Sequence, residues 1–159
     1  ASYARDLVAG QSETDPSPEA RTLDLFLHDR MTGATALVTH ALGSPASAAG
    51  GLFYDSPSIS ADGRFLVFSA RGRAFTAGVL NDESNVFLYD RTSGINKLLS
   101  ASRNGYARDP VISADGQSVA FLTDGSDLIP GQIPTENRDQ LFLFDRAAGS
   151  LSLVKGTGE

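Results

Sequence analysis

Residues 57–70 read PSISADGRFLVFSA, and residues 110–123 read PVISADGQSVAFLT, so that one pattern recurs after 53 residues. A second pattern, a run of apolar residues followed by Asp-Arg-x-x-Gly, occurs three times, in residues 23–38, 85–100 and 140–155. The two patterns alternate in a constant order along the chain. Regular self-similarity at this spacing is typical of proteins built from an array of similar structural units.

Each unit resolves into four short strands, called A to D in chain order. Strand A ends in Ser-Ala-Asp-Gly, where a short hairpin needs positive φ at Gly63 and Gly116. Strand C ends in the Asp-Arg-x-x-Gly turn, in which the Asp side chain can accept a backbone N–H and Gly94 and Gly149 take the left-handed conformation. The predicted B and C strands are residues 64–70, 85–90, 117–123 and 140–145.

The B and C strands carry apolar residues at consecutive positions, which is typical of strands that are buried on both faces. A blade of a β-propeller has a neighbouring blade on each face, whereas a sheet of a β-sandwich exposes one face and would show alternation. We therefore predict an all-β fold, a β-propeller of four-stranded antiparallel blades in which these strands are the most buried. The small residues at 43–51 predict a flexible loop.

The pattern Pro-x-x-Ser-x-Asp-Gly-x-x-x-x-Phe of residues 57–68 and 110–121 resembles the TolB-type, or WD-like, β-propeller repeat. The Asp-Leu-Val/Ile-x-Gly segments at 6–10 and 127–131 resemble a bacterial subgroup of those repeats. The resemblance covers nearly all of the 159 residues. It implies a bacterial, extracytoplasmic protein, periplasmic or secreted. Similar blades serve as periplasmic binding modules and as substrate-gating domains attached to peptidases.

The length of the chain limits how much of a propeller it can form. A propeller closes with roughly four to eight blades, so 159 residues with a period of 53 cannot close a ring alone. We predict one propeller segment, with a partial blade at 1–44 and two full blades at 45–105 and 106–159. A longer polypeptide or several chains would complete the ring. The residues expected to become fully buried only against material outside this sequence are Phe26, Leu27, Phe142 and Phe144.

The B–C loops, at 71–84 and 124–139, and the D–A loops, at 41–56 and 101–109, lie on the same face of the predicted propeller. Long, variable loops on a rigid scaffold often carry recognition. Their mixture of Arg, Tyr and Phe is typical of interfaces, although the rings could instead pin the loops against the blade edges. The candidate binding residues are Phe53, Tyr54, Arg71, Arg73, Phe75, Arg103, Tyr106 and Arg108.

Few residues are available for catalysis. The chain has no cysteine, two histidines and no Gly-x-Ser-x-Gly nucleophile motif. The repeat aligns His28 with Tyr89 and Phe144, which predicts a packing position in strand C. His40 falls at the end of a strand D, where we expect it to be exposed. We therefore predict no catalytic residues, no enzyme activity and no cofactor.

Charge and composition restrict the partners. The net charge of −6 disfavours nucleic acid, and no apolar run is long enough to insert in a membrane. Residues 81–85 offer side-chain oxygens but lack the Gly and Glu of an EF-hand, so no metal is assigned. The predicted function is a non-catalytic protein-binding or scaffolding propeller, such as an accessory subunit of an extracytoplasmic assembly, bound to a protein partner or to further blades. The alternatives are a substrate-gating propeller attached to a hydrolase domain and a calcium- or carbohydrate-binding surface module.

Overall fold

The computed structural model describes residues 6–13, 23–49, 55–72, 74–133 and 139–154, and the regular elements in these ranges are all β-strands. The first unit contains β1 (Ser12–Glu13), β2 (Phe26–His28), β3 (Thr35–Leu37), β4 (His40–Ala41) and β5 (Ser44–Ala48). The middle blade contains β6 (Ser58–Ile59), β7 (Phe65–Ala70), β8 (Asn85–Asp90) and β9 (Ile95–Leu98). The third blade contains β10 (Ala107–Ile112), β11 (Ser118–Thr123), β12 (Gln140–Asp145) and β13 (Ser150–Leu153).

Consecutive strands pair in two four-stranded antiparallel sheets. Their order is β6-β7-β8-β9 in the middle blade and β10-β11-β12-β13 in the third blade. In the first unit β2 pairs with β3 in the same antiparallel manner, as strands C and D do in the other two units. This arrangement confirms the prediction of an all-β fold with four-stranded antiparallel blades.

The prediction of a flexible loop at 43–51 is wrong for the part that forms β5. This strand pairs in parallel with β1 and antiparallel with β4. The hydroxyls of Ser12 and Ser47 lie 2.9 Å apart across the parallel pair, and the Ala49 amide donates to the Thr39 carbonyl at 2.9 Å. Ser, Pro and Ala have little strand preference of their own, so the pairing with two neighbouring strands decides the conformation here.

The middle blade is buried on both faces, as predicted. All six residues of β7 and the first five of β8 are buried. Phe68 belongs to a core cluster that includes Val38 of the first unit. Val67, on the opposite face of β7, belongs to a second cluster that includes Phe121 of the third blade. The consecutive apolar residues of these strands therefore serve two cores, one on each side of the blade.

The third blade is buried on one face only. Phe142 and Phe144 are 0% and 4% exposed and belong to the core shared with the middle blade. Leu141 and Leu143 alternate with them along β12 and are 39% and 37% exposed. The prediction that Phe142 and Phe144 would lack cover is therefore wrong. Side chains alternate between the faces of a strand, and the register of β12 turns the two rings toward the middle blade and the two leucines away from it.

The first unit follows the same register. Leu27 packs against the core between the first unit and the middle blade, so it does not lie on the outer face as predicted. Phe26 points to the opposite face and is half-buried. His28 shares that face and is exposed, with Nδ1 2.9 Å from the Thr35 hydroxyl. Its predicted packing role is wrong, because no described unit covers this face of β2.

The prediction for the other histidine, His40, is also wrong. His40 is 6% exposed, and its Nε2 lies 2.7 Å from the Gly94 carbonyl oxygen of the middle blade. Its Nδ1 lies 2.9 Å from the Ala41 carbonyl oxygen, and its ring meets the Tyr89 ring edge-on at 6.3 Å. The expectation of an exposed side chain is therefore wrong, because the end of β4 packs against the neighbouring blade. His40 helps to join the first unit to the middle blade.

The tight turns have the predicted backbone. Gly63 and Gly116, which follow strand A, both have φ of 68°. Gly94 and Gly149, which follow strand C, have φ of 68° and 65°. These values confirm that all four glycines occupy the left-handed region, which residues with a Cβ atom rarely adopt.

The Asp of the turn after strand C stabilises that turn through hydrogen bonds. In the middle blade the Asp90 carboxylate accepts from the Arg64 side chain at 3.0 and 3.1 Å and from the Thr92 amide at 2.9 Å. The hydrogen bond from Arg64, followed by the one from Thr92, holds the pKa of Asp90 below its usual value despite partial desolvation. Asp29 accepts in the same way from the Met31 amide at 2.8 Å. The repeated Asp residues are therefore turn-forming residues.

Candidate binding site

A cavity of about 390 Å³ lies at the junction of the middle and third blades, within the size range of small-ligand sites. It opens among the B–C loop of the middle blade and the start of β10. We call it the interblade cavity. Its lining residues are Asp55, Arg71, Glu83, Ser84, Tyr106 and Arg108.

The backbone positions these residues through one hydrogen bond and one bulge. The Ala107 amide donates to the Ser84 carbonyl at 2.7 Å, which places the beginning of β10 against the end of the B–C loop. The register of β10 then shifts between Arg108 and Val111, where Asp109 has a φ of 51°. A bulge of this kind redirects the neighbouring side chains, and here it turns Arg108 into the junction between the blades.

The Asp55 carboxylate links the two blades at the cavity. It accepts a hydrogen bond from the Ser69 hydroxyl of β7 at 2.6 Å and another from the Asp109 amide of the bulge at 3.0 Å. One carboxylate is therefore bonded to both blades. This arrangement fixes the bulge relative to the middle blade.

The positive charges at the cavity are paired with carboxylates. Arg71 forms an ion pair with Glu83, with Nη2 and Oε2 2.5 Å apart. Arg108 pairs with Asp139 and, at 3.0 Å, with Asp109. Partial desolvation lowers the pKa of Arg108, but the opposing charge of Asp139 and the other acidic neighbours raises it more, so the guanidinium stays charged. Each guanidinium at the cavity is thus paired with at least one carboxylate.

The Tyr106 ring supplies an aromatic surface beside these charges. It is 41% exposed, and the Arg108 guanidinium carbon lies 5.7 Å from its ring centre. This distance is within the range of a cation–π contact. The Tyr106 amide donates to the Asp124 carboxylate at 2.7 Å, so the backbone that carries the ring is held against the B–C loop of the third blade.

Two of the residues that line the interblade cavity each carry a buried polar atom without a hydrogen-bond partner. These atoms are the hydroxyl oxygen of Ser84, a residue that is 6% exposed, and Nε of Arg108. Buried polar groups are paired in the great majority of cases, so unpaired ones often mark a functional position or a missing partner molecule.

Seven of the eight predicted binding residues fall into three groups. Arg71, Tyr106 and Arg108 come together at the interblade cavity. Arg103 lies apart from it, with a side chain that is 81% exposed and Nη1 3.8 Å from Asp127. Three further predicted residues, Phe53, Tyr54 and Arg73, lie outside the described residues.

Phe75 is a core residue and does not present its side chain at the surface. It is 1% exposed, and its ring packs edge-on against Phe68 and Phe87 at centroid distances of 6.1 and 5.2 Å. Its prediction as a binding residue is corrected accordingly. The alternative interpretation, in which a ring pins a long loop to the blade edge, describes Phe75, because an apolar ring in a B–C loop gains most by entering the adjacent core.

Three lining residues, Asp55, Glu83 and Ser84, were absent from the sequence-based candidates. One signal could have found two of them. When the repeats are aligned, Asp55 occupies the position of Arg108, and Ser84 occupies that of Asp139. These positions flank strands A and C and change chemical character between units, whereas the turn residues remain constant. A change of this kind indicates a local role that the repeated fold does not require.

Residues 81–85 form a hydrogen-bonded loop end. The Asn81 carboxamide oxygen accepts from the Glu83 amide at 3.0 Å and from the Asn85 side chain at 3.1 Å, and its nitrogen donates to the Ser102 carbonyl at 2.9 Å. These contacts occupy the amide group that a calcium site would use. In the described ranges there is no cluster of three or more His, Asp or Glu residues suited to a metal ion. The same part of the chain contains no helix that could cross a membrane.

Comparison with known proteins identifies the class of fold. No protein-family model matches the chain. Among curated proteins, dipeptidyl-peptidase 5 of Porphyromonas gingivalis is 29% identical over 100 residues, which are 63% of this chain and 14% of that protein. The chain thus spans about a seventh of the length of this relative.

Solved structures resemble the chain over most of its length. TolB from Acinetobacter baumannii has a TM-score of 0.50 at 19% identity, covering 89% of this chain and 29% of its own. Dipeptidyl peptidase 4 of Porphyromonas gingivalis has a TM-score of 0.55 at 14% identity, covering 82% of this chain and 22% of its own. An oligogalacturonate lyase solved with manganese has a TM-score of 0.52 at 16% identity, covering 87% of this chain and 36% of its own. The fold is therefore that of a β-propeller. The sequence pattern of its repeat resembles that of the TolB type.

Proposed function

We propose that this chain belongs to a non-catalytic, protein-binding or scaffolding β-propeller that recognises a partner through its long-loop face. The interblade cavity is the observation that carries the proposal, because Tyr106, Arg71 and Arg108 converge there on a rigid framework. Aromatic and Arg side chains provide most of the binding energy in many interfaces. A propeller can present such residues without changing shape, because the strands that contain or adjoin them are paired within the blades.

The uncovered face of the third blade supports a role within a larger assembly. Its exposed apolar residues are Val111, Leu141, Leu143 and Val154, which are 58%, 39%, 37% and 44% exposed. The corresponding face of the middle blade, which includes Val67 and Leu88, is buried by the third blade. We expect a further propeller blade, from the same polypeptide or from another chain, to cover this face in the same way. Contiguous exposed apolar surface of this kind marks an interface.

A location outside the cytoplasm, periplasmic or secreted, accompanies this proposal. It is supported by the resemblance of residues 57–68 and 110–121 to the TolB-type repeat. An accessory subunit of an envelope or secreted assembly would use both surfaces, because the apolar sheet face would join it to the other blades while the long loops stay available to the partner.

A photo-crosslinking residue introduced at Tyr106 tests the loop face in cells that produce the protein. We expect it to yield a discrete adduct with another protein, because this position is 41% exposed beside the cavity. The matched control is the same residue introduced at Met31, which is 94% exposed in a short turn of the first unit. With the adduct partner purified, Tyr106→Ala should weaken binding roughly 30-fold, the effect of an interface hot spot. An absent adduct at 106, or the same adduct from 31, would contradict the proposal.

A second candidate is a substrate-gating propeller joined to a hydrolase domain. The observation that favours it is the 29% identity over 100 residues with dipeptidyl-peptidase 5. A fluorophosphonate probe applied to the protein isolated from its cells distinguishes the two candidates, since it labels an activated serine. Labelling of a polypeptide that contains this chain would support the gating function, and unlabelled protein would support the binding function.

A further inference from the structure

The two described junctions between units have the same direction. At the first junction, Leu25 and Val38 of the first unit share a core with Phe68 of the middle blade. At the second junction, Leu88 of the middle blade shares a core with Phe142 of the third blade. At both junctions the unit that covers a face is therefore the next unit in chain order.

The arginine of the Asp-Arg turn after strand C reaches across each junction to the preceding unit. Arg91 of the middle blade forms an ion pair with Asp29 of the first unit. Arg146 of the third blade instead lies over the Phe65 ring of the middle blade, with its guanidinium carbon 4.1 Å from the ring centre. The same arginine of the repeat thus makes an ionic contact at one junction and a cation–π contact at the other.

The residues of the covered blade explain which contact forms. In the middle blade the Asp90 carboxylate corresponds to that of the first unit, but Arg64 of the same blade already pairs with it at 3.0 Å. Phe65, the register partner of Asp90, presents a ring beside that pair. Arg146 therefore meets a neutralised carboxylate and an aromatic surface.

The third blade lacks both of these features. Its Asp145 corresponds to Asp90, but Gln117 and Ser118 stand where the middle blade has its arginine and phenylalanine. The Asp145 side chain accepts from the Ala148 amide at 2.9 Å, is exposed, and forms no ion pair within the described ranges. An arginine that reaches this place from a covering unit would meet a carboxylate that no other cation neutralises.

The position of Asp145 also places it with the apolar surface of the third blade. Leu141, Leu143 and Asp145 alternate with the two buried rings of β12 and are all exposed. Residues two apart in a strand lie on the same face of the sheet. The outer face therefore ends in one acidic group beside two leucines that are 39% and 37% exposed.

We infer that Asp145 binds the arginine of the Asp-Arg turn in the blade that follows the third blade in chain order, while Leu141 and Leu143 pack against the rings of that blade. This inference rests on the proposed role within a larger assembly and specifies the residue that the covering blade must carry. An apolar surface accepts many partners, whereas one charge at its end fixes how the partner is aligned.

A photo-crosslinking residue at Leu143, in the protein isolated from its cells, identifies the covering segment. We expect an adduct within the same polypeptide, to a segment that contains Asp-Arg-x-x-Gly. The control is the same residue at Met31, which is 94% exposed in the first unit and should not give this adduct. An adduct to a separate polypeptide, an adduct to a segment without that arginine, or no adduct would overturn the inference.

Charge variants of Asp145 then test the ion pair by hydrogen exchange of β12 and β13. Asp145→Arg should speed their exchange about fivefold, because attraction becomes repulsion. Asp145→Asn keeps an oxygen for the Ala148 amide and should speed it roughly twofold. Replacing the arginine of the crosslinked segment with aspartate should restore slow exchange in Asp145→Arg. The control is Asp115→Arg, in the other turn of the same blade, which that second change should not restore.

Unchanged exchange in both Asp145 variants, or a charge swap that restores nothing, would overturn the inference and leave the apolar cover of the third blade in place. The crosslinking result at Tyr106 reports separately on the loop face. Failure of this inference is therefore distinguishable from failure of the proposed function.

Discussion

Phe142→Ala should destabilise the fold by about 3–5 kcal/mol, whereas Leu143→Ala, one residue further along the same strand, should cost roughly 1 kcal/mol or less. Phe142 is 0% exposed and stacks on Phe121 with ring centres 6.1 Å apart, at the core between the middle and third blades. Leu143 is 37% exposed on the opposite face. Truncating the ring leaves a cavity, while truncating the leucine removes contact mainly with solvent.

Urea unfolding followed by circular dichroism measures both costs, since the chain has no tryptophan for fluorescence. The two variants share a strand and differ mainly in the face that each side chain occupies. Equal destabilisation at 142 and 143 would mean that β12 is not buried on one face as described. Leu143→Ala should in addition weaken the association of the chain with the blade that we propose covers the outer face of the third blade.

Gly105→Ala should cost about 3 kcal/mol or more, whereas Gly94→Ala should cost about 1–2 kcal/mol. Both glycines have positive φ, 74° and 68°, so alanine is strained at either position. A Cβ atom at Gly94 would meet nothing within 4 Å. At Gly105 it would clash with the Asp124 carboxylate and lie 2.5 Å from the Gly125 nitrogen. The difference between the variants therefore isolates the close approach of the two loops.

The same pair of variants also probes the candidate site. Asp124 accepts the amide of Tyr106 at 2.7 Å, so displacing it moves the backbone that carries the exposed ring. Thermal unfolding gives the stability of each variant, and crosslinking through position 106 gives the state of the loop face. If Gly105→Ala were as stable as Gly94→Ala, the D–A loop that contains Gly105 would not pack against Asp124 and Gly125 as described.

The fold was predictable because its information is local and repeated. The Ser-Ala-Asp-Gly turns and the apolar B and C strands occur in more than one unit, so each observation checks another. The left-handed backbone of the turn glycines was also predictable, because each ends a short turn motif that recurs between the units. The direction of each side chain was harder to predict. A run such as Leu141-Phe142-Leu143-Phe144 is apolar throughout, so it does not reveal which residues face the neighbouring blade.

The candidate site was predicted in part. The sequence identified Arg71, Tyr106 and Arg108 through their residue types in long loops. It could not show that Phe75 enters the core or that His40 packs against the Gly94 carbonyl, because both depend on contacts between units. Ser84 was not predicted, because its distinguishing property, a buried hydroxyl without a hydrogen-bond partner, has no signature in the sequence.

Sedimentation of residues 1–159 on their own tests most directly the claim that these blades need cover from outside the sequence. The chain has a mass of 16.7 kDa and exposes Leu141, Leu143 and Val154 on the outer face of its third blade. We expect concentration-dependent association or aggregation, because the exposed apolar faces would pair with each other. Substituting Leu141 and Leu143 with lysine should reduce that association. A single sharp boundary at the monomer mass, unchanged across concentrations, would contradict the account.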